Sequence, residues 1–476
     1  MKTAATSIIA ANRHNFMRIE NLSKMTKKRR DQIMARSKGK IEEIMPLVSS
    51  IIKEIQKRGD SALIEYTEKF DHVKLPLSKI VVKKSEIKRA YDQINKGNKR
   101  LVEDIQASID CIRSYHENEK SLYVGNLKNW NKSIKARAWK KELQKLTVGQ
   151  LYNALNRIGL YIPGGNAILF TTALMGITPA KVAGIKEIIV TSPPSRNGDI
   201  DPKILVAADL AGADLIIRAG GAQAIGALAY GTKNVPKVDK IFGPGNVYVT
   251  AAKAYVASNG ICGIDFLAGP SEIVIIADEA ANSTFIARDL ISQAEHDQDA
   301  CAILLTDSSK LASDVRKSII EIFLNETGAS DLNNIAATSL KKYGAIIKVN
   351  SIKEAIDFSN DFAPEHLEIM TKNPKSRLDK IANAGTICLG SFTPVAISDY
   401  ICPNHILPTG GTARYTSGIN IDMFFKKTSM LKANGNKIIM STVDEMIKNL
   451  STAEGLYNQH GLSVTARLDY LKNKRK

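Results

Sequence analysis

The sequence is poor in aromatic residues and in cysteine, and it contains no long apolar run. Aromatics make up 6% of its 476 residues, against 44% hydrophobic residues overall. Alanine, isoleucine, glycine and valine carry most of the apolar content, as in layered α/β proteins. The length allows two or more domains with substantial cores. No apolar run reaches the roughly 18 residues that a membrane-spanning helix needs, so a cytoplasmic protein with no membrane partner is expected. A short, mild apolar run from Ala4 to Ala11 has no small-residue cleavage site after it. It does not read as a secretory signal, and an organelle-targeting role for it stays open. The five cysteines, Cys111, Cys262, Cys301, Cys388 and Cys402, are odd in number, scattered, and free of any C-x-x-C pair. That excludes a disulfide framework and a thiolate metal centre. A zinc ion here would have to use imidazole, carboxylate and amide ligands.

An acidic excess is also lacking. With 66 Lys and Arg against 48 Asp and Glu, the formal net charge is +18. The densest basic stretches are Lys24 to Lys40 and Lys128 to Lys145, the second carrying Trp130 and Trp139. Basic residues interleaved with aromatics suit a nucleic-acid surface. No RRM, KH, zinc-finger or helix-turn-helix pattern accompanies them, so a solvated lysine-rich surface is the better reading. No nucleic-acid partner is expected, and the charge would help attract an anionic cofactor.

What is present is a change of periodicity. Residues 1–16 read as a loose extension. Residues 17–116 read as helical, with 3.6-type apolar spacing over Ile41–Lys57, Asp60–Phe70 and Lys84–His116. Residues 117–150 are lysine-rich and read as a loop or weak hairpin. From Arg157, short apolar strands alternate with small-residue helices. Strands are expected at 158–162, 187–191, 214–218 and 240–242, and each runs into a Gly- or Pro-rich turn. A second set is expected at 272–276, 302–305, 345–349, 368–370 and 386–389. This is the βα grammar of two successive, mostly parallel sheets, with ligands expected beyond the carboxyl ends of the strands. The tail from Ile419 reads as helical.

Four segments carry chemistry. Ser292-Gln-Ala-Glu-His-Asp297 closes an amphipathic helix, and Gln293 and His296, three apart, share one face. An amide oxygen and an imidazole aimed the same way are two candidate metal ligands, although a capped helix end would look the same. Ala363-Pro-Glu-His-Leu367 puts Glu365 beside His366 on a turn, two proton-transfer groups in one place. Ser398-Asp-Tyr400 through Asn404-His405 to Gly411 is a dense irregular loop of the kind that is usually functional. Glu454-Gly-Leu-Tyr-Asn-Gln-His460 adds a carboxylate and an imidazole near the tail. On the sheet side, Gly243-Pro-Gly-Asn-Val-Tyr248 fails as a dinucleotide fingerprint, because Tyr248 stands at the third glycine position. Tyr161, Gln223 and Asn246 nonetheless follow strand ends of one sheet and could meet one ligand.

The motifs Leu160–Gly165, Gly220–Gln223, Lys240–Asn246, Ala268–Glu272, Ser292–His296, Ala363–Leu367, Ser398–Tyr400 and Asn404–Thr409, in this order, resemble the histidinol dehydrogenase family. These are NAD-dependent zinc enzymes that end histidine biosynthesis, and the likeness runs from about Met17 to Arg467. The resemblance implies Gln293, His296, Asp399 and His460 as zinc ligands and Glu365 and His366 as the acid–base pair. It implies Ser271, Gln293, His296, His366, Asp399, Glu454 and His460 around the amino alcohol, and Tyr161, Gln223 and Asn246 at NAD. It also implies a homodimer whose exchanged tails bring His460 and Glu454 to the partner's site.

The organisation that follows is α/β, with two incomplete Rossmann-like βα domains and helical ends. The expected segments are an extension over 1–16, helices over 17–45, a first α/β domain over 46–160 with 272–420, a second over 161–271, and an exchanged tail over 421–476. Two spacings depart from the family pattern. The Asp399–His405 interval is one residue short, and the Glu454–His460 interval has one residue too many, Asn458 or Gln459. On a continuous helix that insertion would turn Glu454 by roughly 100° relative to His460. A same-scaffold enzyme for another alcohol, such as a sulfonated diol, and a binding protein without catalysis are the alternatives.

Overall fold

The computed structural model describes residues 16–36, 41–124, 147–164, 168–325, 331–433, 437–456 and 459–473. The chain opens on strand β1 (Ile19–Asn21) and helices α1 (Lys27–Ala35), α2 (Ile41–Arg58), α3 (Asp60–Asp71), α4 (Lys84–Gly97) and α5 (Lys99–Val124). After β2 (Thr147–Ala154) come β3 (Arg157–Tyr161), α6 (Thr171–Ala183), β4 (Glu187–Ser192), α7 (Pro202–Ala211) and β5 (Leu215–Arg218). This first βα run ends with α8 (Gly221–Tyr230), β6 (Lys240–Phe242), α9 (Val247–Ser258) and β7 (Gly263–Ile264). The second run is β8 (Glu272–Ala277), α10 (Ser283–Ala294), β9 (Cys301–Thr306), α11 (Ser309–Asn325), α12 (Asp331–Tyr343) and β10 (Ala345–Lys348). It continues through α13 (Ile352–Phe362), β11 (His366–Met370), β12 (Thr386–Leu389) and α14 (Val395–Tyr400). The tail holds β13 (Phe425–Lys432), α15 (Lys437–Ala453) and α16 (Gln459–Asn473).

Two parallel sheets result, ordered β5-β4-β3-β6-β7 and β1-β10-β9-β8-β11-β12. Each is wound outward from a central strand on one side, then back to the centre and outward on the other. The winding reverses between β3 and β6 in one sheet and between β8 and β11 in the other. Such reversals open crevices at strand ends.

Strand β8 shows why the larger sheet is buried on both faces. Ile273, Ile275 and Ala277 join one core with Ile286 and Leu290 of α10 and Leu340 of α12. Val274 and Ile276, on the alternate face, join another with Ile33 of α1 and Ile356 and Phe362 of α13. Alternation along a strand puts neighbours on opposite faces, and helices on both sides make a continuous apolar run the right sequence. Each buried Ile or Val stabilises by roughly 1.5–3 kcal/mol relative to exposure.

The smaller sheet takes the amino-terminal helices. Val48, Ile51, Ile52 and Ile55 form one stripe of α2 and share a core with Ile189, Ile217 and Leu228. An added Cβ at Gly226 of α8 would lie 3.4 Å from Ile55, so this glycine sets how closely α2 approaches. Helices α2 and α3 and strand β3 therefore belong with 161–271. The sequence pattern groups 46–160 with 272–420, and residues 46–117, 155–160 and 272–420 fall in one compact unit. Other boundaries move as well. The single helix expected over Lys84–His116 breaks at Asn98 and resumes to Val124. β1 lies in a stretch that reads as helical, and β11 begins at His366 rather than Glu368. Residues 125–146, with Trp130 and Trp139, lie outside the described residues, as does the Ala4–Ala11 run.

The chain divides into two compact units, residues 1–117 with 155–423, and 118–154 with 424–476. Both parallel sheets lie in the first. In the second, β2 and β13 pair antiparallel from Thr147↔Lys432 to Ala154↔Phe425, so part of the lysine-rich segment and part of the helical-reading tail are strand. Helices α15 and α16 are joined by Thr465 Oγ1, which donates to Asp444 Oδ1 at 2.5 Å. Among the described residues no helix is long and apolar enough to cross a membrane.

Two glycines test how tightly the β6 turn is built. Gly243 has φ +107°, and an added Cβ would sit 2.1 Å from the Tyr161 carbonyl oxygen. Gly184 has φ +95° with open space around it. Gly184→Ala should lower stability by about 1 kcal/mol, from backbone strain alone. Gly243→Ala should lower it by clearly more, since a backbone carbonyl cannot step aside. Thermal midpoints of the two variants, compared directly, check this ordering.

Candidate active site

Helix α13 ends at Ala363, a buried residue with left-handed φ 51° and ψ 67°. A non-glycine residue there stores on the order of 1–2 kcal/mol. The Arg36 guanidinium holds the turn by donating to the Phe362 carbonyl while lying 3.5 Å over the Phe362 ring. Pro364 follows, and the chain then enters β11 with Glu365 and His366 at the strand's amino end. Both side chains are buried. Glu365 Oε2 accepts the Glu272 N–H at 2.8 Å, and its carbonyl accepts from Thr386 N at 2.9 Å. An added Cβ at Gly385 would lie 2.5 Å from that carbonyl, so β12 reaches this point only because residue 385 is glycine.

The site therefore lies at the amino ends of the six-stranded sheet, not beyond the carboxyl ends where ligands were expected. Helix α10 runs back against its strands, so its last turn also arrives at the amino ends. Gln293 is buried there, and its Oε1 has no hydrogen-bond partner. His296 follows one turn later. Its Nδ1 faces the carbonyls of Ser292 at 3.1 Å and Gln293 at 3.3 Å, which leaves Nε2 as the free lone pair. Asp399, near the end of α14, and His405 complete the cluster, with His405 Nδ1 2.8 Å from the Asp399 carbonyl.

The electrostatics tie these groups together. Burial pushes Glu365 well above the ordinary carboxylate range, and the nearby Glu272 and Asp399 carboxylates push the same way against the Glu272 N–H. Burial pulls His366 down to about 3, helped by His296 and His405. His366 is thus a neutral imidazole at physiological pH, with Nε2 3.9 Å from Glu365 Oε1 and Nδ1 buried without a partner. Burial also raises Asp399, while His405 and His296 oppose it. Burial lowers His405, against the Asp399 charge. Ser271 is half-buried immediately before β8.

Behind the cluster lie residues whose roles the motif reading missed. Glu272 Oε1 accepts from Gly410 N at 2.8 Å and pairs with Arg36 Nε at 3.1 Å. Glu368 Oε1 accepts from Val395 N at 2.9 Å, and its carboxyl lies close to that of Asp289. Burial raises both, Asp289 to about 6, and the Asp289 charge raises Glu368 further. The available signal was a carboxylate inside an otherwise apolar strand pattern, as in Glu272 of β8 and Glu368 of β11.

At the five-stranded sheet, the carboxyl-end expectation holds for the glycine turns. Tyr161 ends β3, and its Oη accepts from Gly221 N at 3.2 Å, two residues before Gln223. Gln223 is buried with its Nε2 unpartnered. Asn246 caps α9, its Oδ1 accepting from Tyr248 N and Val249 N. Glu454 and His460 lie in the second compact unit. Glu454 is in a turn just after α15, and His460 is in the first turn of α16. The two are not on one helix. Helix α15 ends at Ala453 and α16 begins at Gln459, so Glu454 and His460 do not share the continuous helix on which the expected rotation depends. Asn458 lies outside the described residues. Among the described residues, no three His, Cys, Asp or Glu side chains converge to hold a metal ion.

Comparison with known proteins completes the picture. A profile of the histidinol dehydrogenase family matches residues 34–468. A histidinol dehydrogenase of Methanococcus maripaludis is 42% identical over 95% of this chain and 100% of its own. One of Clostridium acetobutylicum is 44% identical over 89% of this chain and 92% of its own. The crystal structure of histidinol dehydrogenase from Elizabethkingia anophelis superposes with a TM-score of 0.84 at 35% identity, covering 96% of this chain and 99% of that one. A full-length match in sequence and in fold leaves one assignment: the chain belongs to the histidinol dehydrogenase family.

Proposed function

We propose that the buried Glu365–His366 pair carries out both proton transfers in a zinc-dependent oxidation of L-histidinol through L-histidinal to L-histidine. Family membership makes the chain an NAD-dependent histidinol dehydrogenase of the last steps of histidine biosynthesis. The residue roles, the metal and the shared site are this proposal's own. The observation that carries it is a neutral imidazole beside a buried carboxyl, with a buried, unpartnered amide oxygen at the end of α10.

The orphaned Gln293 Oε1 fits a metal ligand, because a buried polar atom without a partner costs about 1–3 kcal/mol that a cation would offset. Gln293, His296 and Asp399 would hold zinc from one subunit, with His460 supplied by the tail of a second copy. When bound, zinc supplies a fixed positive charge that holds the substrate's amino and imidazole nitrogens. NAD, received at Tyr161, Gln223 and Asn246, supplies the hydride acceptor. Ser271 and Glu454 contact the amino alcohol alongside the ligands.

His366 accepts the alcohol proton as hydride leaves the carbinol carbon. The resulting aldehyde takes up water, whose proton passes to Glu365, and a second hydride leaves. The His366 imidazole is a base throughout the working range because its pKa lies at about 3. The Glu365 carboxyl is raised, so it becomes a base only above the ordinary carboxylate range. The aldehyde step should therefore gain rate as pH rises through that raised pKa. Burial keeps water from competing for these protons.

Glu365→Gln should release about one NADH per histidinol in place of two and accumulate the aldehyde, because only the water step loses its base. Product stoichiometry by chromatography checks this, and complete conversion to histidine by the variant would sink the assignment. Metal content offers a second check. Gln293→Ala should bind less zinc per subunit, read by elemental analysis after dialysis, and unchanged content would remove Gln293 from the ligand set. For the shared site, His460→Ala and Glu365→Gln chains refolded together should recover about a quarter of wild-type histidine formation, one intact site in each mixed dimer. No recovery in demonstrably mixed dimers would place His460 in its own chain's site.

A further inference from the structure

The most completely buried ion pair near either crevice is not at the Glu365 site. Lys253 of α9 and Asp265, just after β7, are 2% and 0% exposed at their side chains and form a direct ion pair. Both partners also grip one residue. Asp265 Oδ2 accepts from Gly243 N at 2.8 Å, and Lys253 Nζ donates to the Gly243 carbonyl at 2.9 Å. Asp265 Oδ1 also accepts from Phe266 N at 2.6 Å. One turn earlier on α9, Thr250 Oγ1 donates to the Ala268 carbonyl at 2.9 Å.

Gly243 begins the turn that delivers Asn246, and its backbone lies against the Tyr161 carbonyl. Residues 265–271 lead from β7 to Ser271 and β8. One buried pair thus fixes both peptide groups of the turn between β6 and α9, and the start of the segment leading to Ser271. A core has no packing need for two charges. Replacing such a pair by apolar groups of similar size is often neutral or favourable, so its retention calls for a positional reason.

We propose that Lys253 and Asp265 are positioning residues for the dinucleotide, locking the Gly243–Asn246 turn in the shape that receives it. This rests on the reading of Asn246 as an NAD contact. Neither residue touches the cofactor. They act through the path of the turn, at Gly243, the residue whose positive φ lets the chain leave β6. Preorganisation of this kind appears in affinity, because a loosened turn must be ordered again at each binding event.

The test measures NADH affinity by fluorescence titration of the purified full chain, with thermal midpoints recorded in parallel. Lys253→Met/Asp265→Leu removes both charges together and should keep a cooperative thermal transition. Its Kd for NADH should rise about tenfold. A folded double variant with wild-type Kd overturns the proposal. Should the double variant fail to fold, Asp265→Asn keeps the volume and decides in its place by the same criterion. Lys253→Arg, which keeps the cation, should bind NADH more tightly than Lys253→Met. Equal weakening in the two would also overturn it. Asn246→Ala separates the underlying reading: unchanged Kd there removes Asn246 from the cofactor site, whatever the pair does.

Discussion

A single hydrogen bond, from the Glu272 N–H to the Glu365 carboxylate at 2.8 Å, joins the starts of the two strands on which the larger sheet turns. Strands β8 and β11 flank the reversal in strand order, and their register, His366 opposite Ile273, leaves Glu365 opposite Glu272 just before the ladder begins. The backbone of Glu272 thus fixes the Glu365 carboxyl. Its side chain fixes the loop above, through Gly410 N and Arg36. Arg36 in turn holds the carbonyl at the end of α13, which sets the left-handed turn that admits Glu365 and His366. Removing one member of a buried charge pair such as Arg36–Glu272 costs about 3–5 kcal/mol, because the other charge stays buried. The turn, the loop and the acid–base pair therefore stand or fall together.

Around that bond the fold gathers more acid than it neutralises. Glu365, Asp399, Glu368 and Asp289 are all raised, and burial is the largest cause for each. Glu368 of β11 lies close to Asp289 of α10, the helix that carries Gln293 and His296, and the Asp289 charge raises it further. Val395 N, donating to Glu368, brings in α14 and hence Asp399. At the front of the site, burial lowers His366 and His405 beside the raised carboxyls of Glu365 and Asp399.

Most strand positions were readable because parallel strands buried on both faces give short unbroken apolar runs ended by glycine or proline. The runs at 240–242 and 386–389 match the observed strands to the residue. The chemistry-bearing motifs were readable as motifs, and His296, Glu365, His366, Asp399 and His405 do lie near one another. What periodicity could not supply was position along the sheet. The carboxyl-end expectation describes where glycine turns go, and it serves for Tyr161 and Asn246. It fails for Glu365 and His366, because the turn before β11 is shaped by Arg36, more than 300 residues earlier in the chain. Nor could a local pattern place α2 and α3. Their stripe fits either sheet, and the choice lies in the small residues of α8.

The tail shows how structure changes the meaning of a spacing. Within one helix, an extra residue between Glu454 and His460 would swing the two side chains out of register. The chain instead ends α15 at Ala453 and turns at Gly455, where φ is +74°. It begins α16 at Gln459, and the contact of Asp444 with Thr465 ties the two helices side by side. A connection absorbs an insertion as path length, at an entropic cost that grows only slowly with length, whereas a helix must absorb it as rotation. His460 takes its direction from α16. Glu454 takes its direction from the end of α15. The two residues are therefore set independently, and a change in the interval between them alters neither helix's presentation of its own side chain.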